Sequence, residues 1–291
     1  MSLSLFDLAP GKTLLDRYRI RRPHRHGGMS TTFEVEELAG GKALEMQVFP
    51  AALFESPAQA REFADDLARW KTLGATSVLG ARDVHALDDG TVLHLTDMPP
   101  GRSLRVWLQE NGHAAPSDTV SIGLQLLDEL AAVHGAALVH GDIKPQTIHV
   151  EKRKGLRVTL VDGGITPALW KAKHLGDKTA LIGTPYYAPV EQFGGESPDV
   201  LSDLYNVATV LYEIVTGVLP WEGKSFLEVF QAKLRSGPPS MKRRANGVEV
   251  PAELEQVIAG GLMAERGERY ASAAAFRERL AAVEAGLARP A

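Results

Sequence analysis

The chain contains no cysteine. That excludes a disulfide framework, a thiolate metal site, a cysteine nucleophile and a thiol redox switch. Long apolar runs are missing too: no stretch approaches the roughly 18 residues a membrane-crossing helix needs. Met1–Pro10 has no basic segment ahead of an apolar one, so no secretory leader is expected. Nor does charge of one sign dominate. The 32 basic and 36 acidic side chains leave a formal net charge of −4, which argues against a general nucleic-acid or polybasic membrane binder. The 4 tryptophans form no stripe for stacking on bases, and Trp70 and Trp221 read as core. What is present is 44% apolar and 23% charged residues over 291 positions, the composition of a folded globule. That length builds one large domain or two lobes. The expectation is a cytoplasmic protein, either whole or the front part of something longer.

No internal repeat interrupts the chain, and its first hundred residues read mostly as strands. Arg17–Arg25 is a partly alternating basic run, and Thr31–Glu37 and Ala43–Phe49 flank Gly40-Gly41 as a hairpin. A helix is predicted over Pro57–Leu73 from Phe63, Leu67 and Trp70. Asp88-Asp89-Gly90, between Val84–Leu87 and Thr91–Leu95, marks a second hairpin. After Pro99-Pro100-Gly101 the character changes. Ile122, Leu126, Leu130 and Val133 predict a helix over Ser117–Gly135, with Ser117 capping it. Short strands near Thr147–Glu151 and Leu156–Asp162 lead into a polar segment that runs to Gly194. Ser202–Thr216 is apolar nearly all round and should be a buried helix. Phe226–Leu234, Ala252–Met263 and Ala271–Leu287 close the chain as amphipathic helices. The fold class that results is α+β: a small β-rich lobe, a proline hinge and a large α-helical lobe.

Two short stretches carry chemistry. His140-Gly141-Asp142-Ile143-Lys144-Pro145 is a sharp turn offering a carboxylate and an ammonium two residues apart, and Asp162-Gly163-Gly164 ends a strand. Two such aspartates can hold a metal-bound phosphate and orient a hydroxyl. Each can equally cap its own turn.

With these stretches in order along nearly its whole length, the chain resembles the bacterial, eukaryotic-like (Hanks-type) Ser/Thr protein kinases. Arg17-Tyr18-Arg19-Ile20 is similar to their first strand, Gly27-Gly28-Met29 to the glycine-rich loop, and His140–Pro145 to the catalytic loop. Asp162-Gly163-Gly164 stands at the D-F-G position, and Gly183–Gln192 resembles the end of the activation segment. Ser202-Asp203-Leu204-Tyr205 and Arg269-Tyr270 match two later motifs. The resemblance implies a bilobal kinase-like fold: an extension over 1–16, an N-lobe over 17–98, a C-lobe over 99–287 and a tail over 288–291. It implies ATP and Mg²⁺ as cofactors if any nucleotide binds. Asp142 would be the base toward a substrate hydroxyl, Lys144 would steady the γ-phosphate, and Asp162 would bind the metal. Glu191 would pair with Arg269, and Asp203 would bond the catalytic-loop backbone. Thr179 and Thr184 are phosphorylation candidates, with Thr184 read as serving the local backbone.

Departures from the family pattern are many. The strand lysine that neutralises phosphates falls on Gln47, and the alanine that roofs adenine falls on Glu45. The helix glutamate falls near Asp66, or Asp65 in an alternative register. Of the G-x-G-x-x-G glycines only Gly27 survives, between Arg25 and Ser30. Thr32 and His149 stand at the apolar positions that sandwich adenine. The hinge reads Thr96-Asp97-Met98-Pro99, and Pro99 has no backbone N–H to donate. The second metal ligand falls on Thr147, a weak candidate. The loop arginine falls on Gly141, and the D-F-G phenylalanine on Gly163. Arg25 and Lys42 are nearby cations, read as solvated rather than as substitutes for the lysine.

The leading expectation is a pseudokinase with a degenerate ATP site and little or no phosphotransfer. It would be a regulatory module for a protein partner in bacterial signalling, such as a kinase, receptor or effector, without nucleic acid and without a membrane segment. The alternative is a weakly active or atypical ATP-dependent Ser/Thr kinase. A third reading is a metal or small-ligand sensor built from Glu45, Asp66, His149 and Asp162.

Overall fold

The structure is a computed structural model that describes residues 3, 8–26, 29–73, 77–153, 155–173, 185–235 and 237–287. Gly27, Gly28, Thr179, Gly183 and Thr184 lie outside the described residues. The chain divides into two compact units. One comprises Met1–Gly74, Leu79–Pro99 and Lys171–His174; the other comprises Ala75–Val78, Pro100–Trp170 and Leu175–Ala291.

The N-terminal unit is built on an antiparallel sheet of β1 (Thr13–Leu14), β2 (Tyr18–His26), β3 (Thr31–Glu37), β4 (Lys42–Phe49), β5 (Asp83–Ala86) and β6 (Val92–Asp97), in the order β1-β2-β3-β4-β6-β5. Strand alternation sends successive side chains to opposite faces. Ile20, Phe33, Val35, Leu44, Met46, Val48, Leu93 and Leu95 therefore share one apolar core with Tyr18, while Glu45 and Gln47 share the other face of β4. Helix α1 (Pro57–Ala68) starts at Ser56, whose hydroxyl accepts the Gln59 N–H at 3.3 Å. It buries Ala60, Phe63, Ala64 and Leu67. Phe63 meets Phe49 edge-on at 4.9 Å and Phe54 at 5.3 Å, fixing the helix to β4. The helix expected to run to Leu73 instead tightens into a 3₁₀ turn at Arg69–Thr72, which buries Trp70.

The second unit is helical, with a small sheet of β7 (Arg102–Ser103), β8 (Ile148–Arg153) and β9 (Gly155–Leu160). Its described helices are α2 (Leu104–Asn111), α3 (Pro116–Gly135), α4 (Ile165–Ala172, whose last two residues fall in the first unit), α5 (Val190–Phe193), α6 (Val200–Thr216), α7 (Phe226–Arg235), α8 (Met241–Arg244), α9 (Ala252–Gly261) and α10 (Ala273–Leu287). As its composition predicts, α6 is buried all round. Asp199 and Ser202 cap it reciprocally, and Gly217 ends it in the left-handed conformation at φ 77°. It packs against α3 and α9.

Two expectations need correction here. Ser117 is not the cap of α3: the helix begins one residue earlier with Pro116 at its first position and no side-chain cap at Ala115, because proline's missing N–H costs nothing there. The polar segment expected up to Gly194 contains α4 and α5. Pro167 in the first turn of α4 and the buried Ala168, Leu169 and Trp170 carry a helical pattern too short to stand out by periodicity. Trp70 and Trp221 are buried, as the sequence reading expects.

Candidate functional site

In the N-terminal unit, the face of β4 opposite the core carries buried polar side chains. Glu45 is 2% exposed. The Arg25 guanidinium on β2 donates to both its oxygens, at 3.2 and 2.5 Å, and His24 Nε2 lies 3.3 Å away. Two register shifts in β2, one of them between Pro23 and Arg25, bring consecutive residues of this basic strand to the same carboxylate. Arg25, expected to be solvated, is thus the partner of a buried acid, since a carboxylate desolvated in mid-strand needs a counter-charge. On the same face Gln47 stands directly opposite His94 across β4 and β6, with Oε1 3.2 Å from the imidazole Nδ1. Thr32, paired in register with Gln47, is buried beside them. Lys42 reaches Asp97 at 2.8 Å, an exposed pair that Arg82 joins at 3.3 Å. Asp66 on α1, and not the exposed Asp65, holds a cation: Lys171 Nζ lies 3.1 and 3.0 Å from its two oxygens. The neighbouring Lys173 ammonium donates to the Leu53 carbonyl at 2.5 Å. Both lysines lie in the segment whose composition reads only as polar, so the sequence assigns neither a distinct role.

In the second unit, Asp142, Lys144 and Thr147 share the loop between α3 and β8. Lys144 Nζ lies 2.5 Å from Asp142 Oδ2. Thr147 Oγ1 is 2.8 Å from the Asp142 carbonyl and accepts the Lys144 N–H at 3.1 Å. The hydroxyl thus bonds within its own turn. Asp203, fully buried, accepts the N–H groups of His140 and Gly141 at 2.9 and 2.7 Å, as expected, and lies 2.9 Å from His134. Burial holds His140 below its ordinary pKa, against the pull of Asp203. Its Nε2 faces the Val161 carbonyl at 3.0 Å while Nδ1 receives the Asp142 N–H at 3.4 Å, a pattern that fits the neutral Nε2–H tautomer. Asp162 follows β9 with φ 63°, a left-handed conformation that a non-glycine residue adopts at a cost of about 1–3 kcal/mol. His149 on β8 points Nδ1 at the Pro100 carbonyl at 3.3 Å. Among the described residues no three His, Asp or Glu side chains form a metal-sized group.

The end of the activation-like segment is anchored. Arg269 forms a bidentate pair with Glu191 at 2.7 and 2.8 Å, both side chains buried, and also donates to the Met263 and Ala264 carbonyls. Tyr187 donates to Glu213 at 2.5 Å and accepts from Arg105 at 2.6 Å. Burial and Glu213 together push the pKa of its hydroxyl up.

These features lie in a chain whose residues 27–279 match the family described as the protein kinase domain. The chain belongs to that family. It is 29% identical over 285 residues to the serine/threonine-protein kinase pkn3 of Myxococcus xanthus, covering 94% of this chain and 51% of that protein. It is 29% identical to the serine/threonine-protein kinase PknB of Mycolicibacterium smegmatis, covering 94% of this chain and 44% of that one. The chain thus spans about half the length of these relatives or less. Among solved structures, the PknI kinase domain of Mycobacterium tuberculosis matches with TM-score 0.72 at 17% identity, covering 94% of this chain and 98% of that one. Rad53, solved with AMP-PNP, matches with TM-score 0.74 at 19% identity, covering 90% of this chain and 64% of that one. The fold is that of a protein kinase, with a β-sheet N-lobe and a helical C-lobe.

One departure of this kinase domain is built into the backbone. Gly141, where the family carries arginine, has φ 80°, and a Cβ there would stand 2.5 Å from the Pro167 ring of α4 and 3.3 Å from Pro198. Restoring the arginine should therefore cost stability. Gly141→Arg is expected to lower the melting temperature by several degrees and to loosen α4 in hydrogen exchange. An unchanged melting temperature would show that the loop gives way freely.

Proposed function

We propose that this protein kinase domain works as a pseudokinase, a regulatory module that binds a protein partner, with impaired ATP binding and little or no phosphotransfer. The observation that carries this reading is the Gln47–His94 contact at 3.2 Å beside the buried Arg25–Glu45 pair. Phosphoryl transfer depends on positioning and on positive charge aimed at the phosphates. ATP and Mg²⁺ are what active kinases of this family bind. In the N-terminal unit the side chains present do not fit that nucleotide: position 47 is an amide, and the guanidinium on the same face is committed to Glu45. Asp66, which in the family would hold the strand lysine, is engaged by Lys171 instead. Asp97 and Pro99 at the hinge position, and His149 at the adenine-floor position, complete a set of residues that would each have to be worked around. No described helix is long and apolar enough to cross a membrane, and a polypeptide partner suits a domain of this kind.

A weakly active Ser/Thr kinase is the second reading. It is favoured by Asp142 and Lys144 in contact at 2.5 Å, in a loop whose amides Asp203 holds. Asp142 would accept the substrate hydroxyl proton there, and Lys144 would balance charge. Transfer of radiolabel from ATP to the protein itself and to a generic acceptor protein separates the two. The expected result is incorporation no higher than in Asp142→Asn. Incorporation that Asp142→Asn abolishes would establish the second reading.

A further inference from the structure

Lys233 sits in the last turn of α7 and is 1% exposed. Its ammonium donates to the carbonyls of Pro185 at 3.2 Å, Tyr186 at 3.0 Å and Ala188 at 2.6 Å. The rings of Phe193, Tyr205 and Trp221 stand 5.6, 5.2 and 5.7 Å from the same nitrogen. An ammonium has three N–H donors for these three carbonyls. A neutral amine has two and a lone pair, so losing the proton removes one bond and turns a lone pair toward a carbonyl oxygen. The aromatic faces also favour the cation.

We propose that Lys233 is a positioning residue that clamps the backbone of Pro185–Ala188 only while it is protonated, so that the conformation of this segment depends on pH. The inference goes beyond the pseudokinase reading and does not require nucleotide. Burial draws the amine down from 10.5 to about 7; Glu191 on α5 opposes this and Arg269 adds to it. Of the other titratable groups on the packed elements, Tyr205 on α6 is pushed up by its burial and stays neutral. The Tyr187 hydroxyl is turned toward Glu213 and Arg105. Because folding lowers this amine, its burial costs stability below the unfolded value of 10.5, and the cost shrinks as pH rises from about 7. Global stability from this group therefore climbs over the range in which the clamp opens. A local loss of protection in that range is not general unfolding.

The test is hydrogen–deuterium exchange of the segment spanning residues 186–192 in the full chain between about pH 5.5 and pH 8.5, expressed as protection factors. Loss of one charge-assisted bond predicts a fall on the order of tenfold in the wild type, centred near neutrality. Lys233→Arg, which keeps its charge, should give a flat profile, and Lys233→Met should be poorly protected throughout. A flat wild-type profile would overturn the clamp. If Lys233→Met does not fold, the ¹⁵N shift of the lysine Nζ decides: titration within this range supports the proposal, and a fully charged amine throughout overturns it.

Discussion

Arg269→Ala is expected to lower the melting temperature by on the order of 10 °C. Breaking one half of a buried ion pair costs about 3–5 kcal/mol, because the partner charge stays behind without compensation, and each kcal/mol shifts the midpoint of a domain of this size by about 2–4 °C. The geometry places this pair at the upper end. The guanidinium is fully buried, both carboxylate oxygens are used, and two further donors satisfy the Met263 and Ala264 carbonyls. Its face also lies 4.9 Å from the centre of the Tyr205 ring. Removing it therefore leaves Glu191 to the more distant Arg266 guanidinium, at 3.9 Å, and uncovers two carbonyls. Glu191→Ala should cost a comparable amount, and the double variant clearly less than the sum, since the two side chains act as one unit. Differential scanning calorimetry on the three variants checks this. A midpoint unchanged by Arg269→Ala would remove the pair from the account.

The second large effect is a gain. Glu45→Ala combined with Gln47→Lys is expected to tighten ATP binding by about 10- to 100-fold, since a charge-assisted bond to phosphate is worth about 1.5–3 kcal/mol. Gln47→Lys alone should gain little. A lysine two residues from Glu45 shares its sheet face and would pair with the buried carboxylate rather than with phosphate. Glu45→Ala frees Arg25, whose side chain is 28% exposed and can rehydrate, so the double variant should still fold. Calorimetric titration with MgATP measures both. A folded double variant with no gain would mean that the substitutions at 45 and 47 do not limit nucleotide binding.

Much of this architecture is legible in the sequence, and the illegible parts share a cause. Hairpins around Gly40-Gly41 and Asp89-Gly90, the buried α6 and the Glu191–Arg269 pair follow from local pattern and ordered motifs. That positions 45 and 47 had changed was also legible. The partners of Glu45 and Gln47 were not, because Arg25 and His94 reach these residues across 20 and 47 positions and through a bulged register. Thr147 stands at the position of the second metal ligand by resemblance alone, and its hydrogen bonds within the turn, to the Asp142 carbonyl and from the Lys144 N–H, are not readable from sequence. Lys171 was hidden by the short helix α4. Lys233 lies where basic side chains ordinarily complement a helix dipole in water, and only the packing of α7 reveals three carbonyls around it.

We propose that the N-terminal unit has exchanged nucleotide-binding charges for internal ones. The most direct test is a thermal-shift titration of the wild-type chain with ATP and with ADP, each with Mg²⁺, with EDTA and without metal. A ligand present at a hundredfold excess over its Kd stabilises the native state by about 2.7 kcal/mol, a rise of several degrees in a domain of this size. The account predicts a midpoint unchanged within about 1 °C at millimolar nucleotide under every condition. A Mg²⁺-dependent rise of several degrees that Asp162→Ala abolishes would contradict it.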